Sequence, residues 1–142
     1  MRVLLDVNIV LDVLLKRIPW NLHAELIMQE SQNGGLRTIA ASHSITTIFY
    51  IARRLVGNEK AKTCIHHCLE VLDIQCIDKE ILESAYNMNG PDFEDSVQIA
   101  AALRSGVDAI VTRDPAGFIT SPVPIISPAE LSRIILEPVI DF

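Results

Sequence analysis

Arg2-Val3-Leu4-Leu5-Asp6 is a short apolar run that ends on a carboxylate. An apolar stretch of this length, without polar alternation, reads as a strand buried on both faces, the habit of parallel sheets whose two sides are covered by helices. The chain that follows repeats the theme. From Val7 to Leu15 the apolar residues Ile9, Val10, Val13 and Leu14 recur at helical spacing, Pro19 closes that unit, and a second helix is expected from about Asn21 to Gln32. Asn33-Gly34-Gly35 supplies residues that tolerate positive φ at the helix end, and Leu36 to Ala41 reads as the next strand.

Ser42 stands before an apolar-periodic stretch that reaches Leu55, which makes its hydroxyl the expected N-cap, and Gly57-Asn58 separates that helix from one running to Leu72. A short strand at Ile74 to Ile77 leads to Asp78, the expected cap of a helix ending near Asn87. Asn89-Gly90-Pro91 breaks the chain, Asp92 caps a helix that ends at Gly106, and Asp108 to Thr112 and Pro122 to Ile126 are further strands. Ser127-Pro128-Ala129-Glu130 combines capping-box spacing with proline at the first helical position. The tail from Pro138 receives no element. Strands alternating with helices predict an α/β domain, a three-layer sandwich with a central, mostly parallel sheet, since parallel neighbours require crossover connections.

The 142 residues (15.7 kDa) suit one domain spanning 1–142, and 49% hydrophobic with 21% charged residues is ordinary globular composition. No apolar run approaches the roughly 20 residues of a spanning helix, and the N-terminus lacks the zones of a signal peptide, so the expected location is the cytoplasm, away from membranes. Twelve Lys and Arg against eighteen Asp and Glu give a net charge of −6, which excludes the broad basic footprint of a simple nucleic-acid binder. A polyanion must be met locally or through metal ions. Three cysteines, Cys64, Cys68 and Cys76, are expected as reduced thiols in the core. Cys64 and Cys68 share a helical face beside His67, yet the further ligands of a zinc site are missing. His23 and His43 lack the partners of a serine triad, and no glycine-rich phosphate loop occurs.

Ligands of parallel α/β sheets bind at the carboxyl edge of the strands. Asp6 ends the first strand, and Asp114 follows the strand that closes on Ile110-Val111-Thr112-Arg113. The helix from Asp92 feeds that later strand, so its N-terminus is expected at the same edge, with Asp92 and Asp95 on one face and Glu94 directed elsewhere. The preceding helix must leave this edge and return within a few residues of Gly90, which requires it to be short or oblique. Taken singly, Asp92 also reads as a plain N-cap and Asp114 as a turn residue before Pro115. Gathered together, Asp6, Asp92, Asp95 and Asp114 raise one another's pKa values unless a cation is present, and hard oxygen donors suit Mg²⁺ or Mn²⁺.

Three stretches, Leu4-Leu-Asp-Val-Asn-Ile-Val-Leu-Asp12, Asp92-Phe-Glu-Asp-Ser-Val-Gln-Ile-Ala-Ala101 and Ile110-Val-Thr-Arg-Asp114 before Phe118, resemble the PIN-domain family. The likeness extends to Pro124-Ile-Ile-Ser-Pro128 and is strongest toward the small PilT N-terminus proteins that include VapC-like toxins. It implies a Mg²⁺- or Mn²⁺-dependent ribonuclease, often a homodimer, held in check by an antitoxin protein. Carried over residue by residue, Asp6, Asp95 and Asp114 match the metal-binding, catalytic aspartates and Asn8 matches the residue that orients Asp6; Asp92, outside that match, is the further metal ligand that compensates for a missing carboxylate. Thr112 and Arg113 fall in the surrounding shell, and Arg53 and Arg54, with Lys60 and Lys62, offer contacts to RNA phosphates or simply a solvated face. Many active members carry a glutamate on the helix after the second strand, where this chain has Thr46 and Thr47, and Thr47 aligns with it. Two readings therefore stand: the nuclease, and a non-catalytic PIN-like module that binds RNA or protein. Phosphotransferases resembling haloacid dehalogenases need a second aspartate two residues on and then Gly-Thr, whereas here Asp6 is followed by Val7-Asn8.

Overall fold

Complete burial of Val3, Leu4 and Leu5 places the first strand at the centre of the molecule. The computed structural model describes residues 1–137, and the tail from Pro138, which received no element above, lies outside the described residues. Strand β1 (Arg2–Leu5) pairs with β2 (Arg37–Ala41) on one side and β4 (Ala109–Val111) on the other, with β3 (Asp73–Gln75) and β5 (Ile125–Ile126) outside them. All four pairings are parallel, and Leu4 stands opposite both Ile39 and Ile110.

Alternation along the strands builds two cores. Val3, Leu5, Ala109 and Val111 face helices α1 (Val7–Leu14), α2 (Asn21–Gln32), α3 (Ser42–Val56), α4 (Asn58–Val71) and α7 (Pro128–Leu136), packing with Ile9, Ile27, Ile48, Cys68 and Leu131. Leu4, Ala41 and Ile110 face the other way, onto Ile99, Ala102 and Phe118, where α6 (Phe93–Ser105) lies on the sheet and α5 (Lys79–Asn87) packs on α6 through Ile81, Ala85, Val97 and Ala100. Burying a Leu or Ile side chain contributes about 1.5–3 kcal/mol, so a strand apolar at every position is held from both sides. The result is the expected three-layer α/β sandwich with an all-parallel sheet. Among the described residues, no helix is long and apolar enough to cross a membrane.

Three caps follow the sequence. Asp78 and Asp92 accept from the N–H groups of Ile81 and Asp95, and Ser127 accepts from Glu130. Ser42 does not act as the cap: Ala41 holds the extended cap position, and the Ser42 hydroxyl accepts the Ile77 N–H at 3.1 Å, tying the start of α3 to the chain beyond β3. Strand β3 begins at Asp73 rather than Ile74, because Asp73 pairs in register with Ile39 and reaches Arg37 across the sheet edge. Helix α5 is short, with nine residues, as the return to the carboxyl edge required, and Asn89 takes a positive φ of 51° in the connection to α6. Of the cysteines, all free, Cys68 is buried and Cys64 half-buried, but Cys76 is exposed beyond the edge strand and not part of the core. His23 Nδ1 lies 3.1 Å from Ser132 Oγ and links α2 to α7.

Candidate functional site

Asp6 leaves β1 in extended conformation and caps α1, so its carboxylate is fixed by the two elements that meet there. Oδ1 accepts the Val7 N–H at 2.7 Å and the Gln98 side-chain amide at 2.9 Å, while Oδ2 accepts the Thr112 hydroxyl at 2.8 Å. The carboxylate is nearly buried, at 8% exposure, and every described partner is a donor. Thr112, one residue past β4, also accepts the Asp114 N–H at 3.1 Å and so joins the ends of β1 and β4.

The second arm is the first turn of α6. Asp92, in the cap position, accepts the Asp95 N–H at 3.0 Å and thereby positions the residue whose carboxyl is most perturbed. Burial, then the charges of Asp92, Asp6, Glu94 and Asp114, push the Asp95 carboxyl up to about 7. Pro115–Phe118 forms one 3-10 turn against this group. A Cβ at Gly117 would stand 1.7 Å from Asp95 Oδ2 and 2.8 Å from its Cγ, so glycine lets the turn close on the carboxylate.

Asp6, Asn8, Thr47, Asp92, Glu94 and Asp95 line one open cavity of about 310 Å³ at the carboxyl edge. A larger depression of about 520 Å³ lies at the amino edge, around Arg2, Gly35, Arg37 and Asp73, and contains none of these acids. Glu94 faces the cavity, contrary to the expectation that it points elsewhere. Asp92 is the extended cap and defines no helical face; within α6, Glu94 and Asp95 stand four and three residues before Gln98, so all three share the face that lines the cavity. Asp114 is exposed and does not line the cavity, although its charge contributes to the raised Asp95. Thr47 lines the cavity with its hydroxyl on the His43 carbonyl at 3.3 Å, whereas Thr46 faces an apolar groove with Ile45, Phe49 and Tyr50. Arg53 and Arg54 lie in the last turn of α3, away from the cavity, and the Arg53 guanidinium sits 5.8 Å from the Tyr50 ring centroid. Lys62 borders the apolar groove.

Gln98, Asp12 and Arg17 are missing from the sequence reading of the site. Gln98 follows Asp95 by one helical step on the same face, which was the available signal. Asp12 is a lone acid among the apolar positions of α1, and it is wholly buried, with Arg17 Nε at 2.9 Å and Arg113 Nε at 2.8 Å.

Among the described residues, no group of three or more His, Cys, Asp or Glu side chains is arranged to hold an ion. The donor chemistry nevertheless fits a hard divalent cation. Asp6 and Asp95 offer carboxylate oxygens, their mutual repulsion is of the kind a cation relieves, and the buried Asn8 Oδ1 and Gln98 Oε1 have no hydrogen-bond partner. An ion that retains much of its water shell suits such a sparse set.

Residues 2–116 match the sequence model of a family described as PIN domain. No curated protein matches the chain in sequence. Among solved structures, a chain of VapBC2 from Rickettsia felis, crystallised on a DNA fragment from its promoter, is 14% identical with a TM-score of 0.68, covering 89% of this chain and 98% of its own. VapBC from Salmonella typhimurium, also bound to DNA, is 17% identical with a TM-score of 0.68 over 90% of this chain and 98% of that one. VapC20 of Mycobacterium tuberculosis, a toxin that cleaves the sarcin-ricin loop, is 12% identical with a TM-score of 0.65 over 80% and 90% of the two chains. At these identities the likeness is one of fold.

Proposed function

The chain belongs to the PIN-domain family, and from that premise we propose that it is a Mg²⁺- or Mn²⁺-dependent endoribonuclease, the toxin of a toxin-antitoxin pair. The observation that carries this reading is the convergence of Asp6, Asp92, Glu94 and Asp95 on one cavity at the carboxyl edge, with Asp95 raised by the others. The family's members are typically nucleases, and the VapBC structures supply the toxin-antitoxin context.

In this reading Asp6 and Asp95 hold the ion, with Asp92 beside them and Asp114 acting at longer range. Such an ion, when bound, would supply Lewis-acid polarisation of a phosphate oxygen and a more acidic water. The chain's own residues organise that chemistry. Thr112 and Gln98 fix the Asp6 carboxylate by donating to its two oxygens, and Asn8 leaves an oxygen free to receive a donor such as water. Asp95, with a carboxyl near 7, is able to hold a proton at neutral pH in the absence of the ion. Thr47 lines the cavity without adding charge, which suits one ion rather than two. Arg113 borders the same space, and Arg53 and Arg54 are left as more distant RNA contacts.

The reading extends to one domain over 1–142, to the cytoplasm, to an antitoxin protein and to a homodimer. Exposed Trp20 and Leu22 on the α2 side and the apolar groove between α3 and α4 support protein partners. A second reading, a non-catalytic PIN-like module that binds RNA or protein, is favoured by Thr47 in place of the glutamate and by the sparse acid set. The test is cleavage of a mixed RNA pool by the purified protein with Mn²⁺ or Mg²⁺, beside EDTA and Asp95→Asn. Cleavage lost in both controls supports the nuclease; no cleavage despite Mn²⁺ binding supports the module.

A further inference from the structure

Asp12 has two cations where a buried carboxylate needs one. It is wholly buried, with Arg17 Nε on Oδ1 at 2.9 Å, and Arg113 giving Nε to Oδ2 at 2.8 Å and Nη2 to Oδ1 at 3.2 Å. The three groups together carry a surplus positive charge. Their geometry is fixed further: Arg17 Nη2 donates to the Asn8 carbonyl at 3.3 Å, and the Arg113 guanidinium lies 4.1 Å from the Trp20 ring centroid.

Both guanidinium groups use their Nε and Nη2 sides in these contacts, and among the described residues Nη1 of neither makes a hydrogen bond. Both side chains line the acidic cavity, at 31% and 27% exposure. Neither forms an ion pair with Asp6, Asp92 or Asp95 among the described residues, so neutralising those acids does not explain them. Asp12 holds the cations apart from the acids while a donor edge of each stays open. Two planar guanidinium groups with fixed forks are suited to the oxygens of a phosphate.

We propose that Asp12 positions Arg17 and Arg113 as a seat for one phosphate of an RNA backbone beside the acidic cavity. This rests on the RNA reading above but assigns a binding role that needs no metal. The test is binding of a fluorescent single-stranded RNA in EDTA, where cleavage is absent, over a range of salt concentrations. Arg17→Gln and Arg113→Gln are each expected to weaken binding several-fold and to lower the slope of log K against log salt by about 0.7. Arg17→Lys should keep the slope but lose affinity, because it keeps the charge without the fork, and this variant decides the matter if the Gln variants do not fold. Unchanged slopes in the Gln variants, or unchanged affinity in Arg17→Lys, overturn the proposal. Absence of wild-type binding in EDTA also overturns it; metal-dependent cleavage by the same preparation then leaves the nuclease reading standing, and no cleavage removes both.

Discussion

The Gln98 side-chain amide donates to Asp6 Oδ1 at 2.9 Å, a buried bond between the second turn of α6 and the end of β1. It joins the two elements that carry the principal acids. A hydrogen bond to a charged group contributes about 1.5–3 kcal/mol, and Gln98→Leu removes this one without leaving a large void. The expected outcome is a stability loss of that size in urea unfolding, with an unchanged m-value. A loss under about 0.5 kcal/mol would show that solvent replaces the amide and that the bond does not hold Asp6.

Asp95 makes stability depend on pH in a sense opposite to that of a salt-bridged carboxylate. Its folded-state carboxyl, at about 7, lies above the ordinary 3.8. Between these values the folded state keeps a proton that the unfolded state releases, so metal-free stability falls as pH rises through this window. Thermal unfolding in EDTA should show a higher midpoint at pH 5.5 than at pH 8, and Asp95→Asn should flatten the difference. Mn²⁺ should raise the wild-type midpoint more at pH 8. An equal pH response in wild type and variant would contradict the placement of Asp95 among like charges.

Gly117 tests the geometry around the same carboxylate. In Gly117→Ala the new Cβ meets Asp95 Oδ2 at 1.7 Å unless the acid swings away. Because Asp95 lies partly open to the cavity, the side chain can yield while the fold persists. Mn²⁺ affinity is expected to fall at least about tenfold, the usual consequence of disturbing a group that orients a metal site, with a near-native circular dichroism spectrum. Unaltered Mn²⁺ affinity by calorimetry would argue that Asp95 does not hold the ion.

The thiols should separate by rate. Burial, reinforced by the neighbouring Cys64, pushes the Cys68 thiol up to about 11, and Cys76 is exposed. Since the thiolate is the nucleophile, a maleimide reagent at pH 7 should label Cys76 readily and leave Cys68 untouched until the protein unfolds. Peptide mapping after a short exposure checks the order, and early labelling of Cys68 would show that α4 opens from the core.

The one-dimensional pattern by itself determined the parallel sheet and the edge that carries the chemistry. Strands apolar at every position, as in Val3-Leu4-Leu5, must be covered on both faces, and a carboxylate at the end of such a strand falls at the edge where helices begin. The placement of Asp6 followed from that rule, and that of Asp92 and Asp95 from capping and from the direction of the crossover helix. What only the tertiary structure decided is which side chains meet across distance. Sequence periodicity ranks a residue as buried or exposed along its own helix, but the partners of a buried charge come from other elements. Asp12 stands as a lone acid among the apolar positions of α1, and only the fold brings Arg113, from beyond β4, onto it. Ser42 looked like a cap until Ile77 offered its N–H. Glu94 lines the cavity because the facing walls, Asn8 on α1 and Thr47 on α3, come from elements remote in sequence. Each outcome turned on desolvation and pairing between segments far apart in the chain, which no local spacing records.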